Sequence, residues 1–378
     1  MEKRYLFTPG PTPVPPEVLA ATAEPIVHHR GLDFREVYER ALVRLQEVFR
    51  TSGQALLFSA SGTGAMDSAV ANLTRHGDRV AVVVAGAFGE RWVKLCTHYG
   101  LEVQRVDYEW GEVPDPAEIG AAVAESGVET VFCTQSETST GVVADVRAMK
   151  KAVGGARLVV DAVSSLGAVP LETDAWDIDV AVSGSQKALM CPPGLAMAAV
   201  GDHLWDELPP SRSFYFDWRA TRKAQEAFDS AFTPAVSLIK GLDIALGMIL
   251  DDGLEAAFSR HVRLGRATRA GLKAMGLELF SPDDDSSAVV TAGRVPEGVE
   301  SPVFLRHLRE RHGVTLAPGQ GALKSSVFRI GHIGWFDVFD IAAALAAVEL
   351  ALTELGADIE RGVAVGRAFE AYEQRVAA

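Results

Sequence analysis

A series of short, unbroken apolar runs, separated by helical stretches, limits this chain more than any other feature. Seven runs occur in order, at residues 55–58, 80–85, 101–106, 130–134, 158–161, 180–183 and 195–200. Several are solid Val/Ala/Leu blocks without alternation. A strand with one wet face alternates, whereas a strand covered on both faces does not. Strands of this type with helices between them form βαβ units and a mainly parallel sheet. The expected fold class is therefore α/β. A large domain over residues 20–252 follows an arm, residues 1–19, rich in Pro and Gly. The pattern changes at Gly253. A long helix over 254–275 precedes strand-like 288–291, a helix over 302–312, strand-like 314–316 and 327–330, and a final long helix. That profile predicts a smaller α+β domain over 253–378. The stretch Ser281-Pro-Asp-Asp-Asp-Ser-Ser287 reads as a solvated polar loop.

Charge and composition exclude some partners. The formal charge is −14, which repels phosphate backbones and anionic lipid, so neither nucleic acid nor a membrane is expected as partner. A local cluster of donors can still hold a small anion. No apolar run reaches the ~18 residues of a membrane span. The N-terminus is broken by prolines and has no apolar core of a signal peptide. Cys96, Cys133 and Cys191 are few and lack C-x-x-C spacing, so neither a disulfide framework nor a zinc site follows. A cytoplasmic protein with no metal in its active site is expected.

Four segments can carry chemistry. Ser59-Ala-Ser-Gly-Thr-Gly-Ala65 follows an apolar run and opens a helix. Small residues there let backbone N–H groups approach an anion, and Ser61 and Thr63 add hydroxyls. Asp161 ends a buried strand, at the ligand edge of an α/β sheet. It suits a metal, a ribose, a protonated ring nitrogen or a plain cap. Lys187 lies just past another strand among small uncharged residues, where a desolvated amine becomes a nucleophile. Arg329, in Phe328-Arg-Ile-Gly-His-Ile-Gly334, is either an ion-pair member or a fork for a carboxylate. An acid, an amine, an anion cup and an arginine together match pyridoxal 5′-phosphate (PLP) with an amino-acid substrate.

These segments, with Phe7-Thr-Pro-Gly-Pro11, Gly86-Ala-Phe-Gly-Glu-Arg91, Glu137-Thr-Ser-Thr-Gly141 and Thr233-Pro-Ala-Val236, resemble the class V aminotransferases of fold type I. The likeness is greatest to the alanine–glyoxylate and serine–pyruvate group. The resemblance implies that Lys187 carries PLP as an imine and that Asp161 pairs with the pyridine nitrogen. It implies that Val163 packs on the ring and Phe88 stacks on it. Ser61, Gly62, Thr63 and Gln186 hold the phosphate end, and Thr138 contacts the ring hydroxyl side. Thr233 reaches the phosphate of a neighbouring subunit, which implies a homodimer with shared sites. Arg329 takes the substrate carboxylate and the arm near Gly10 closes the site. The implied reaction moves an amino group from a small amino acid, alanine or serine, to a 2-oxo acid, glyoxylate or pyruvate, by a ping-pong mechanism.

The chain departs from that group at Phe88, which replaces Trp, and at Thr63, which replaces His. No Tyr stands three residues before Thr233. These departures leave the chemistry intact and loosen the substrate pair. A PLP-dependent lyase or desulfurase is an alternative, although desulfurases stack a His where Phe88 stands. A pyridoxamine–pyruvate type of aminotransferase is another, as is a silent binding homologue.

Overall fold

A computed structural model describes residues 3–374. Residues 1–2 of the expected arm and 375–378 of the expected small domain lie outside the described residues. The strands, in chain order, are β1 (Tyr5–Leu6), β2 (Gln54–Phe58), β3 (Arg79–Val84), β4 (Glu102–Asp107) and β5 (Thr130–Thr134). A hairpin follows, β6 (Ser136–Glu137) with β7 (Val142–Val143), then β8 (Arg157–Asp161), β9 (Val180–Gly184) and β10 (Ala196–Val200). The last four are β11 (Val290–Arg294), β12 (Val314–Thr315), β13 (Ala317–Pro318) and β14 (Val327–Gly331).

Each of the seven apolar runs becomes a strand of one sheet, ordered β2-β10-β9-β8-β5-β3-β4. β10 is antiparallel to β2 and β9, and every other pairing is parallel. The connection from β9 to β10 is too short for a crossover helix, so β10 returns alongside its predecessor. Side chains alternate between two cores. Leu158 and Val160 pack with residues of helices Leu32–Phe49 and Val236–Asp252, while Val159 packs with helices Gly62–Leu73 and Ala87–His98. Both faces are apolar because both are covered. Each fully buried Val or Leu contributes about 1.5–3 kcal/mol.

A third core joins helices Leu254–Ala274, Ser301–His312 and Val338–Glu354 to the sheet β11-β14-β13. Here the structure differs from the sequence expectations in three places. Residues 285–287 form a 3-10 turn that continues into Ala288, so β11 begins two residues later than expected. The final helix is two helices, Val338–Glu354 and Ala364–Glu373, parted by Gly356 and Gly362 at positive φ. The polar loop is only partly solvated. Ser281 and Ser287 are buried, and Asp283 and Asp285 meet the cations Arg266, Arg269 and Lys273. The arm is tied to the rest of the chain. Pro16–Thr22 is a helix with Pro at its start, and Val18 and Ala21 are its buried face. β1 pairs in parallel with β12. Phe7 N donates to Thr315 O, and Gly331 N donates to Phe7 O at 2.8 Å. The N-terminal segment is thereby hydrogen-bonded to the C-terminal part of the chain.

Candidate active site

β2 is antiparallel to β10, and β10 to β9, so β2 runs with the parallel set. The C-terminal ends of β2, β3, β5, β8 and β9 therefore share one edge of the sheet, where open α/β sheets bind ligands. A cleft at this edge brings together nine of the residues expected from sequence. Lys187, Asp161, Gln186 and Val163 come from the ends of β8 and β9. Ser61, Gly62 and Thr63 come from the turn after β2. Phe88 follows β3, and Gly10 enters from the arm.

The anion cup has unused donors. Ser61 is the N-cap of helix Gly62–Leu73, yet its side chain makes no cap hydrogen bond. Gly64 N and Ala65 N turn back to Ser61 O, and the backbone N–H groups of Gly62 and Thr63 have no such partner among the described residues. Gly62 is needed for clearance. A Cβ there would stand 2.7 Å from Val163 Cγ2.

Asp161 and Lys187 are both buried and both perturbed. Asp161 is 3% exposed and accepts from Val163 N at 2.8 Å. Burial pushes its carboxyl up to about 7. Burial, helped by the nearby Arg329 charge, pushes the Lys187 amine down to about 8. Lys187 Nζ donates to Pro9 O at 2.8 Å, so the arm lies directly over the amine. Gly10 has φ +138°, and a Cβ there would meet Lys187 Cδ and Nζ at 2.4 Å. Gly10→Ala is expected to lower cofactor affinity about 10- to 100-fold, the range of a local strain of 1–3 kcal/mol. Equilibrium dialysis reads this directly. Unchanged affinity would mean that the arm yields freely.

Arg329 is 5% exposed and lies on β14. Its Nε donates to Pro318 O and its Nη1 to Thr138 O. Its hydrogen-bond partners are thus carbonyls, and burial lowers its pKa to about 10 although Glu137 opposes the shift. Thr138 is buried beside it and contributes a backbone carbonyl to this bond. Thr233 is not brought into the cleft of its own chain. It is exposed and lines a separate hollow with Ser59, Tyr215, Phe232 and Pro234.

Two residues at this edge were not singled out from sequence. Arg91 lines the cleft, donates from Nη1 to Thr63 Oγ1 at 3.0 Å, and lies 4.7 Å over the Phe88 ring. Its position three after Phe88 on one helix was the available signal. Glu137 is fully buried and accepts from Phe88 N, Gly89 N, Ser139 N and Ser139 Oγ. It caps helix Ala87–His98 and fixes where Phe88 points. Burial raises its pKa against those bonds. The family model for class V aminotransferases matches residues 4–332.

The chain belongs to the class V aminotransferases. Among its relatives, a protein of Synechococcus sp. named as the small subunit of a soluble hydrogenase is 40% identical over 94% of each chain. The L-aspartate–glyoxylate aminotransferase of Paracoccus denitrificans is 36% identical, over 99% of this chain and 97% of its own. The crystal structure of ureidoglycine–glyoxylate aminotransferase from Bacillus subtilis superposes with a TM-score of 0.93 at 29% identity, covering 99% of both chains. The three names differ in chemistry, and what they share with this chain is the family. The fold is that of the fold type I enzymes, and the chain is an aminotransferase of a PLP-dependent family. Among the described residues no helix is long and apolar enough to cross a membrane. The cleft suits PLP on its own geometry: a buried amine, a buried acid, uncapped helix N–H groups and a glycine floor.

Proposed function

We propose that this aminotransferase holds PLP in the cleft and moves an amino group from a small amino acid to glyoxylate, or to pyruvate. The observation that carries this reading is Arg329, a buried guanidinium bonded only to carbonyls among the described residues and close enough to depress the Lys187 amine. A buried cation without a carboxylate partner is costly unless a ligand supplies one. Every amino-acid and 2-oxo-acid substrate brings that carboxylate.

The other residues take their parts from where they lie. Lys187 would hold the cofactor, through condensation of its amine with the cofactor aldehyde and loss of water. Asp161 holds a proton on the pyridine nitrogen. The bound cofactor supplies an electron sink for the bond between substrate Cα and its hydrogen. With the cofactor bound, the Lys187 amine would be the group placed to take the proton from substrate Cα and to give it back. Ser61, Gly62, Thr63 and Gln186 form the phosphate end, with the helix N–H groups behind them. Phe88 and Val163 enclose the ring, and Thr138 borders its hydroxyl side. Gly10 and Pro9 cover Lys187 and exclude water. Arg91 is held by Thr63 and Phe88 at the phosphate end, which leaves Arg329 as the carboxylate fork. Thr233, exposed and outside its own cleft, suits contact with the site of a second subunit in a homodimer. Three separate, buried, unpaired cysteines suit a reducing cytoplasm.

Two measurements test the reading. In single half-reactions, alanine and serine are expected to convert the cofactor to its amine form faster than aspartate, and glyoxylate or pyruvate to reverse it. Glutamate with 2-oxoglutarate as the best pair by kcat/KM would overturn the proposal. Arg329→Lys keeps the charge and loses the fork. It is expected to raise KM about 10- to 100-fold in both half-reactions, the loss of a charge-assisted pair of 1.5–3 kcal/mol. Unchanged KM for both substrates would remove Arg329 from the site.

A further inference from the structure

Three side chains outside the cleft lining converge at the surface of the C-terminal part. His307 Nε2 lies 2.6 Å from Glu354 Oε2, and His312 Nε2 lies 2.9 Å from the same oxygen. The three ligand atoms lie within 4.8 Å of one another. The site is open to solvent without being loose. The side chains of His307 and His312 are 23% and 17% exposed, and that of Glu354 is 36% exposed. From this geometry we propose that His307, His312 and Glu354 bind a divalent transition-metal ion of the zinc class.

The donor set is that of such ions. Two imidazole nitrogens and one carboxylate oxygen are borderline ligands that suit Zn2+, Ni2+ or Cu2+ and not Mg2+ or Ca2+, which prefer oxygen alone. The dimensions agree. Zinc bonds of ~2.0–2.1 Å set donor separations of roughly 3.3 Å in a tetrahedron. The two contacts to Glu354 Oε2 therefore need to open by less than about 1 Å. A water completes the shell on the exposed side.

The backbone adds a second argument. His312 is the last residue of helix Ser301–His312, and Glu354 is the last residue of helix Val338–Glu354. Two helix C-termini thus meet at the three side chains, and each macrodipole places partial negative charge where a cation would sit. Sequence spacing hides the cluster because Glu354 is remote in the chain from the histidines.

A bound ion would fasten these two helix ends together. The residue after His312 is Gly313, whose carbonyl accepts from Tyr5 N at 2.9 Å. The ion would sit next to the first anchor of the arm whose Pro9 and Gly10 cover Lys187.

The test uses the full-length, PLP-loaded enzyme after chelation, titrated calorimetrically with ZnCl2. One Zn2+ per chain is expected, with a rise in Tm on addition of the ion. Glu354→Gln and His312→Gln are each expected to lose about 100-fold or more in affinity, beyond what changes outside the ligand set cost. Both should lose the Tm response, while aminotransferase activity without metal stays at the wild-type level. MgCl2 should give no saturable heat. Absence of saturable zinc binding overturns the proposal, and so does stoichiometric binding retained in both variants. If one variant fails to fold, His307→Gln reads the same site.

Discussion

Replacing Lys187 by alanine is expected to abolish covalent attachment of the cofactor and to lower kcat about 10^4-fold, the upper end of what a positioned proton-transfer group contributes. Borohydride reduction followed by peptide mapping should label Lys187 in the parent enzyme and no lysine in the variant. Label on a different lysine would refute the assignment. The perturbed amine adds a finer expectation. Its ordinary pKa of 10.5 falls to about 8 in the folded chain. At pH 7 about a tenth of the molecules then carry a neutral, nucleophilic amine, against roughly one in three thousand for an unperturbed lysine. The neutral fraction grows as pH rises. Cofactor uptake by the apoenzyme should accelerate up to about pH 8 and level off above it. A rate still climbing tenfold per unit at pH 10 would show that burial does not tune this amine.

Asp161→Asn is expected to lower kcat about 10²- to 10³-fold, as loss of an aimed electrostatic partner does in other active sites. The amide has nearly the same shape and can keep one hydrogen bond, so cofactor affinity should fall much less than turnover. The carboxyl is raised to about 7 because it is buried with one backbone donor and little else. A protonated ring nitrogen beside it would favour the charged form and lower that value. Loss of affinity as large as the loss of kcat, or near-normal turnover, would assign Asp161 a packing role instead.

The sequence made the sheet legible because its strands are covered twice. Val159 and Val160 serve opposite cores, and only an unbroken apolar run satisfies both. Lys187, Asp161 and the Ser59–Gly64 turn were legible for a related reason. Each follows a recognisable strand, and strand ends in such folds share an edge. What stayed hidden depended on approach through space. Glu137 looks like any acid near a turn until burial and four donors reveal it as the cap of the helix that carries Phe88. Arg91 looks like a surface arginine until Thr63 arrives from another strand. The pairing of the arm stayed hidden because its partner strand lies far along the chain, where local patterning carries no record of it.

That pairing has a consequence for how the protein is made. Val314, the partner of Tyr5 across β1 and β12, follows it about 300 residues later in the chain, some 15–60 s at ordinary elongation rates. Gly331, which donates to Phe7, comes later still. The large sheet, its cup and Lys187 can all fold in that interval, while Pro9 and Gly10 are held from one side only, by Thr12, which donates to Gln186 O and Lys187 O. Until Gly331 arrives, the segment before Thr12 lacks its bonds to Thr315 and Gly331, and Arg329 has yet to add its charge beside the amine. Full cover and full depression of the Lys187 amine therefore arrive together, once residues 314–331 have folded against the arm.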